Sequence, residues 1–174
     1  EVENDRNFLD LMLKGLNDVR FFERIDHTSV SRSLLDIGCA TGTLLEHAQH
    51  RGWEVQGVEV CEPAARYGIT HRGVPITVGT LETAELGSRR FGAVHFSHVI
   101  EHVPDPRTFL STVRSRLEPG GLGVVVTPNS SGLQARLFGA RWRSAIADHV
   151  HLFSAANLAR LLRETGFVVL AMQT

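Results

Sequence analysis

The chain has 174 residues, 43% of them hydrophobic and 21% charged, with a formal net charge of -1 at neutral pH. That size argues for one domain over residues 1–174, able to bury about 70% of its unfolded surface in one core. The near-neutral charge argues against a nucleic-acid partner held through its phosphates, and no apolar stretch reaches the roughly 20 residues that span a bilayer.

No signal-peptide pattern opens the chain, so a cytoplasmic protein is expected. Cys39 and Cys61 are the only cysteines. They are expected to be small thiols without a structural disulfide.

Residues 4–26 read as a helix, with Phe8, Leu11, Met12, Leu16, Val19 and Phe22 at helical spacing. Residues 27–32 form a polar connector. Residues 33–38 are an apolar run short enough for a buried strand, and residues 43–51 read as a helix. Between them lies Gly38-Cys39-Ala40-Thr41-Gly42. Glycine there permits left-handed backbone and close approach of a ligand. A turn of this kind at the carboxyl end of a parallel strand predicts a small-molecule site. A second strand, 54–60, carries Glu59 about 20 residues beyond the first glycine, where a carboxylate can accept from ribose hydroxyls. Together these features fit a nucleoside-bearing cofactor. A dinucleotide fingerprint would need glycine where Ala40 and Thr43 stand.

Pro63 opens a helix over 64–72, and residues 76–79 form a short third strand. Residues 91–96 form a fourth strand. Asp105 caps a helix over 106–117, and residues 122–127 form a fifth strand. Residues 128–150 carry a short helix, Leu133–Phe138, and the cluster Arg141-Trp142-Arg143. Ser154 caps a last helix through Glu164, closed by Gly166, and residues 167–172 are a sixth strand. Alternating strands and helices predict a doubly wound, Rossmann-like α/β sheet, mostly parallel and covered on both faces.

Asp36-Ile37-Gly38-Cys39-Ala40-Thr41-Gly42 resembles the first motif of class I S-adenosylmethionine-dependent methyltransferases, with Ala40 in place of the usual middle glycine. Phe91 through Pro106, which includes Ser97-His98-Val99-Ile100-Glu101-His102, resembles that family's fourth strand and following loop. Leu117-Glu118-Pro119-Gly120-Gly121 resembles the turn before its fifth strand. The nearest likeness is to ubiquinone-type and other small-molecule O-methyltransferases. The family fold has seven strands. Six are counted here, as a fragment, missing disordered residues or a truncated last hairpin would give.

The resemblance implies a division of the chain. Residues 1–32 would be an N-terminal helix or lid, 33–127 the cofactor core, and 128–174 an acceptor-side segment with the last helix and strand. It also implies S-adenosylmethionine as cofactor, S-adenosylhomocysteine as product and a small-molecule acceptor methylated at oxygen. Asp36 and the backbone of Gly38, Cys39, Ala40 and Gly42 would hold the methionine end. Glu59 would take the ribose, with Val60 beside it. Leu81 and Glu82 would flank the adenine, and Ser97 and His98 would line the floor. Two rival readings stand: a non-catalytic module that binds either nucleoside, and a nicotinamide-dependent oxidoreductase.

An acceptor hydroxyl must lose a proton, and histidine can take it near neutral pH. His98, His102, His149 and His151 follow strands four and five on the ligand side and are the candidates. His98 and His102 could share a helical face, and His149 and His151 a strand face. No Cys-rich or H-E-x-x-H pattern is present, and no metal is expected. His95 reads as a core or site-wall residue. The segment 128–150 is expected to form the acceptor wall, with Trp142 covering the acceptor.

Overall fold

The computed structural model describes residues 2–142 and 144–174, without the side chains of residues 2–8 and 140, so that Arg143 and the side chain of Phe8 lie outside the described residues. Five strands pair in one sheet: β1 (Ser33–Ile37), β2 (Glu54–Glu59), β3 (Ile76–Val78), β4 (Phe91–Ser97) and β5 (Leu117–Val126). Every pairing is parallel, in the order β3-β2-β1-β4-β5. The order reverses between β1 and β4, which is where an open sheet of this kind leaves a crevice at its carboxyl edge.

The α-helices are α1 (Val2–Asp18), α2 (Phe21–Asp26), α3 (Thr43–Gln49), α4 (Glu62–Tyr67), α5 (Pro106–Arg116), α6 (Leu133–Phe138) and α7 (Ala155–Glu164). Parallel strands need crossovers, and α3, α4 and α5 lie in those from β1 to β2, β2 to β3 and β4 to β5, while β3 passes to β4 without a helix. Among the described residues no helix is long and apolar enough to cross a membrane. Alternation along β1 divides the core. Leu35 and Ile37 face a cluster with Phe109, Leu110 and Val113 of α5 and Leu158 of α7. Leu34 faces a second cluster with Leu16, Phe21, Ile25, Leu44 and Trp53. All five β1 residues are buried, as expected for a central strand covered on both faces.

The single helix expected over 4–26 is two. Arg20 breaks it in a left-handed conformation (φ 55°), and its Nε donates to Glu23 at 2.7 Å. The break turns Phe21 and Phe22 onto Trp53, with ring centroids 6.0 and 6.4 Å away. Leu11, assigned to the apolar stripe, is 66% exposed, while Leu16 is buried. These helices pack on the sheet through the second cluster.

Two other expectations change. β5 starts five residues early, at Leu117, because the Glu118-Pro119-Gly120-Gly121 turn sits inside it as an irregularity: Phe91 pairs with Leu117, but Ala93 with Leu122. The sixth strand, 167–172, is not formed. The Phe167 N–H turns back to the Leu162 carbonyl at 2.9 Å, completing the end of α7 rather than a ladder. Phe167 still packs on the core, but Val168 is 82% exposed. A continuous apolar run carries strand propensity, but a strand also needs a paired register.

Candidate cofactor site

The turn after β1 is built from left-handed residues: Gly38 (φ 71°), Ala40 (φ 49°) and Gly42 (φ 74°). At Gly38 an added Cβ would lie 2.6 Å from Val99 Cγ2, so glycine is required by space as well as by φ. The Gly42 N–H closes the turn on the Cys39 carbonyl at 2.8 Å, and the Gly38 N–H reaches the Val58 carbonyl of β2 at 2.8 Å. Ala40 is the strained member, since a side chain at positive φ costs of order 1 kcal/mol.

Glu59, at the end of β2, holds that strained residue. Its Oε2 accepts from the Ala40 N–H at 2.8 Å and its Oε1 from the Cys61 N–H at 2.8 Å. The side chain is 8% exposed. One carboxylate therefore joins the β1 turn to the β2 end, and each oxygen keeps a further lone pair for a ligand hydroxyl. Val60 beside it is exposed.

Asp36 and His95 stand side by side on adjacent strands, buried at 3% and 2% exposure, with Asp36 Oδ1 2.7 Å from His95 Nδ1. The carboxylate is thus anchored beneath the turn, and His95 is a core residue as expected. Cys39 is buried, so only its backbone can meet a ligand. Burial pushes its thiol well above the usual range, and the nearby charges of Asp36 and Glu59 add to that. Cys61 is exposed, and both cysteines are free. An alkylating reagent should modify one thiol of the native protein, at Cys61, and both after denaturation. Rapid native labelling of Cys39, read by peptide mass spectrometry, would show that the turn opens.

Leu81 is a core residue at 2% exposure, with its side chain in the first cluster, while Glu82 is exposed. At the carboxyl end of β4, Ser97 is half-buried and His98 takes a left-handed conformation (φ 55°). The His98 N–H donates to the Val126 carbonyl at 2.9 Å. Its ring is 55% exposed, and its Nδ1 lies 3.0 Å from Oε1 of Glu101. Glu101 is fully buried, and its Oε2 accepts from the Thr127 hydroxyl at 2.9 Å. Burial alone would raise the Glu101 carboxyl. Hydrogen bonds from His98, its own backbone and Thr127 outweigh this and hold it below the usual range.

Sequence reasoning missed Glu101 as a functional residue. The available signal was the His98-x-x-Glu101 spacing inside a turn, where positions three apart can close on each other. His98 and His102 do not share a helical face, because residues 100–102 form a turn. His102 instead meets the far segment: its Nδ1 is 2.8 Å from the Asp148 carbonyl, and its ring lies 4.7 Å from that of His149. His149 and His151 do not share a strand face either. His151 Nε2 lies 3.3 Å from the Pro104 carbonyl, and its ring lines a groove with Arg107 of α5 and Asn157 and Arg160 of α7.

The segment after β5 folds back through a parallel bridge between Asn129 and Phe153. Trp142 is 8% exposed, so it offers no open aromatic face. The exposed apolar side chains here are Leu133, Leu137 and Phe138 of α6, with Ile146 and Val150 further along.

The family model described as a methyltransferase domain matches residues 13–172. The ubiquinone biosynthesis O-methyltransferase of Chromobacterium violaceum is 30% identical, over 93% of this chain and 75% of its own length. That of Cereibacter sphaeroides is 35% identical, over 63% of this chain and 47% of its own. The chain thus spans about half the length of the first curated relatives it matches. Among solved structures, a SAM-dependent methyltransferase from Archaeoglobus fulgidus superposes with a TM-score of 0.67 at 23% identity, covering 90% of this chain and 69% of that one. A possible histamine N-methyltransferase from Thermotoga maritima gives 0.66 at 22% identity, covering 94% and 79%. The sheet order, the glycine turn and the matched span agree, and the chain belongs to the methyltransferase domain family, with the Rossmann-like fold of its class I members.

Proposed function

We propose that the chain binds S-adenosylmethionine over the β1 turn and transfers its methyl group to an oxygen of a small-molecule acceptor. The observation that carries this reading is Glu59, buried beside the strained Ala40 turn with lone pairs left on both oxygens. That cradle fits an adenosine sugar, and the relatives named as ubiquinone biosynthesis O-methyltransferases support oxygen as the methylated atom. A glycopeptide N-methyltransferase solved with S-adenosylmethionine, 24% identical over 67% of this chain and 56% of its own with a TM-score of 0.53, shows that the shared fold accommodates this cofactor.

Bound S-adenosylmethionine supplies an activated methyl group, whose carbon bonds the acceptor oxygen as the carbon–sulfur bond breaks and sulfur keeps the electron pair. The protein's part is to position the two reactants and to take a proton. Asp36 and the turn backbone hold the methionine end, Glu59 fixes the sugar, and Ser97 and His98 line the floor. Of the four candidate bases, His98 has the geometry. A carboxylate can only accept, so the Nδ1 of His98 donates to Glu101, and the neutral ring then has its lone pair on Nε2, toward solvent. The apolar surface of α6 suits an acceptor with an apolar body.

Titration calorimetry should show binding of S-adenosylmethionine or S-adenosylhomocysteine with no comparable affinity for NAD. In an acceptor screen that reports S-adenosylhomocysteine, run at saturating S-adenosylmethionine, His98→Ala should lower the rate of transfer by roughly 100-fold or more, a larger factor than any loss of cofactor affinity at the floor. Equal binding of NAD would overturn the cofactor. Binding without product for any acceptor would favour a non-catalytic module, and a full rate in the variant would remove His98 as the base.

A further inference from the structure

Glu101, His102 and His149 each offer a ligand atom, and the three atoms lie within 4.8 Å of one another. They come from two segments far apart in sequence, the loop after β4 and the loop before α7.

Two observations distinguish this group from a chance cluster. The first is the hydrogen bonding of the rings. His102 Nδ1 is 2.8 Å from the Asp148 carbonyl, and His149 Nδ1 is 2.7 Å from the Ser144 carbonyl. A carbonyl oxygen cannot donate, so each Nδ1 carries the proton and each neutral ring has its lone pair on Nε2. A metal-binding imidazole is held in this way, with one nitrogen donating to the protein and the other free to coordinate. The second is the charge of Glu101. Its carboxylate is fully buried, and its side-chain partners are His98 and Thr127, with no Lys or Arg pairing with it among the described residues. Buried charges are paired or coordinate metals. Its bonds to His98, Thr127 and its own backbone still leave a lone pair on one oxygen.

We propose that Glu101, His102 and His149 form a binding site for a divalent first-row transition ion, closed between the loop after β4 and the loop before α7.

Two imidazoles and one carboxylate suit zinc, iron, manganese or cobalt rather than calcium or magnesium. Bonds of about 2.0–2.2 Å require ligand atoms somewhat closer than 4.8 Å, and small rotations of the exposed His102 and half-buried His149 rings supply the difference. Three protein ligands leave coordination positions for solvent or another oxygen donor. The ion also does structural work. The two loops are already joined by the His151 N–H to the Glu101 carbonyl at 3.1 Å, and an ion across the same gap fastens the acceptor-side segment to the sheet. The third ligand lies outside any local motif, so residue spacing gave no sign of the site.

Cobalt(II) is the probe, because its visible absorption reports coordination without any assay of activity. Titration of the whole chain should saturate at one ion per chain, and excess zinc should displace it. His102→Ala and His149→Ala should each weaken cobalt binding by more than about tenfold. His71→Ala, which removes a histidine remote from the group, should not. Amide exchange of residues 148–151 should slow when cobalt is added to the parent chain. Glu101→Gln is the check where an alanine variant loses its circular dichroism, because it keeps the side-chain shape and removes only the charge; it too should weaken binding. Cobalt bound equally well by the folded double variant His102→Ala/His149→Ala would overturn the proposal, and so would the absence of a stoichiometric site in the parent.

Discussion

Glu59→Ala is expected to weaken S-adenosylmethionine binding by about 10- to 100-fold in a protein that remains folded. Hydrogen bonds to a charged group are worth roughly 1.5–3 kcal/mol, and each 1.4 kcal/mol is a factor of ten in affinity. Two losses combine. The sugar hydroxyls lose a charged acceptor, and the Ala40 N–H loses the oxygen that holds the residue at positive φ. Glu59→Gln separates them. The amide oxygen can still accept from one N–H, so the turn is partly kept while the charge is gone. Calorimetry on both variants gives the answer. If Glu59→Gln binds like the parent and only Glu59→Ala fails, the carboxylate serves the turn alone. If both bind like the parent, Glu59 does not meet the cofactor.

The largest loss of stability is expected at Gly92, in the second position of β4. A Cβ there would lie 1.9 Å from the Ser31 carbonyl oxygen and 3.1 Å from Val30 Cγ2. The clash is with backbone, which cannot swing aside as a side-chain tip can. The connector is also tied in place: the Ser31 N–H and hydroxyl donate to Glu118 at 3.0 and 2.6 Å, and the Ser33 hydroxyl accepts from the Gly92 N–H at 2.9 Å. Gly92→Ala must push the connector off the sheet. Overpacking costs typically 1–3 kcal/mol, and the upper end applies here. For a chain of this size each kcal/mol moves the melting temperature by about 2–4 °C, so a drop of about 6–12 °C is expected in a thermal melt. A shift below about 2 °C would mean that the connector yields freely.

The sequence exposed what depends on local pattern. The central strand, its glycine turn, the Asp105 and Ser154 caps and the short helix Leu133–Phe138 lie where their residues put them. Contacts between distant segments were not legible. Arg20 breaks a helix with neither Gly nor Pro to announce it, because Phe21 and Phe22 gain more by reaching Trp53 than by continuing the helix. Residues 167–172 have the composition of a strand, but pairing is a property of two segments. Trp142, expected to cover an acceptor, lies between two arginines in sequence, and its burial was not legible there. Glu101 stood inside a quoted motif without a role, since its partners Thr127 and His98 meet it only through the turn after β4. His149 reaches His102 by the same kind of long-range closure.

The placing of β1 between β2 and β4 has a consequence for how the chain is made. β2 follows β1 after a single helix and can pair with it while the chain is still short. β4 pairs through residues such as His95 opposite Asp36, 59 positions later. Closing a loop of that length costs more entropy, and such contacts form slowly. A chain emerging from the ribosome can therefore shape the glycine turn and seat Glu59 before Ser97 and His98 exist. The half of the crevice proposed to grip the nucleoside is assembled first, and the half proposed to face the acceptor is added to it.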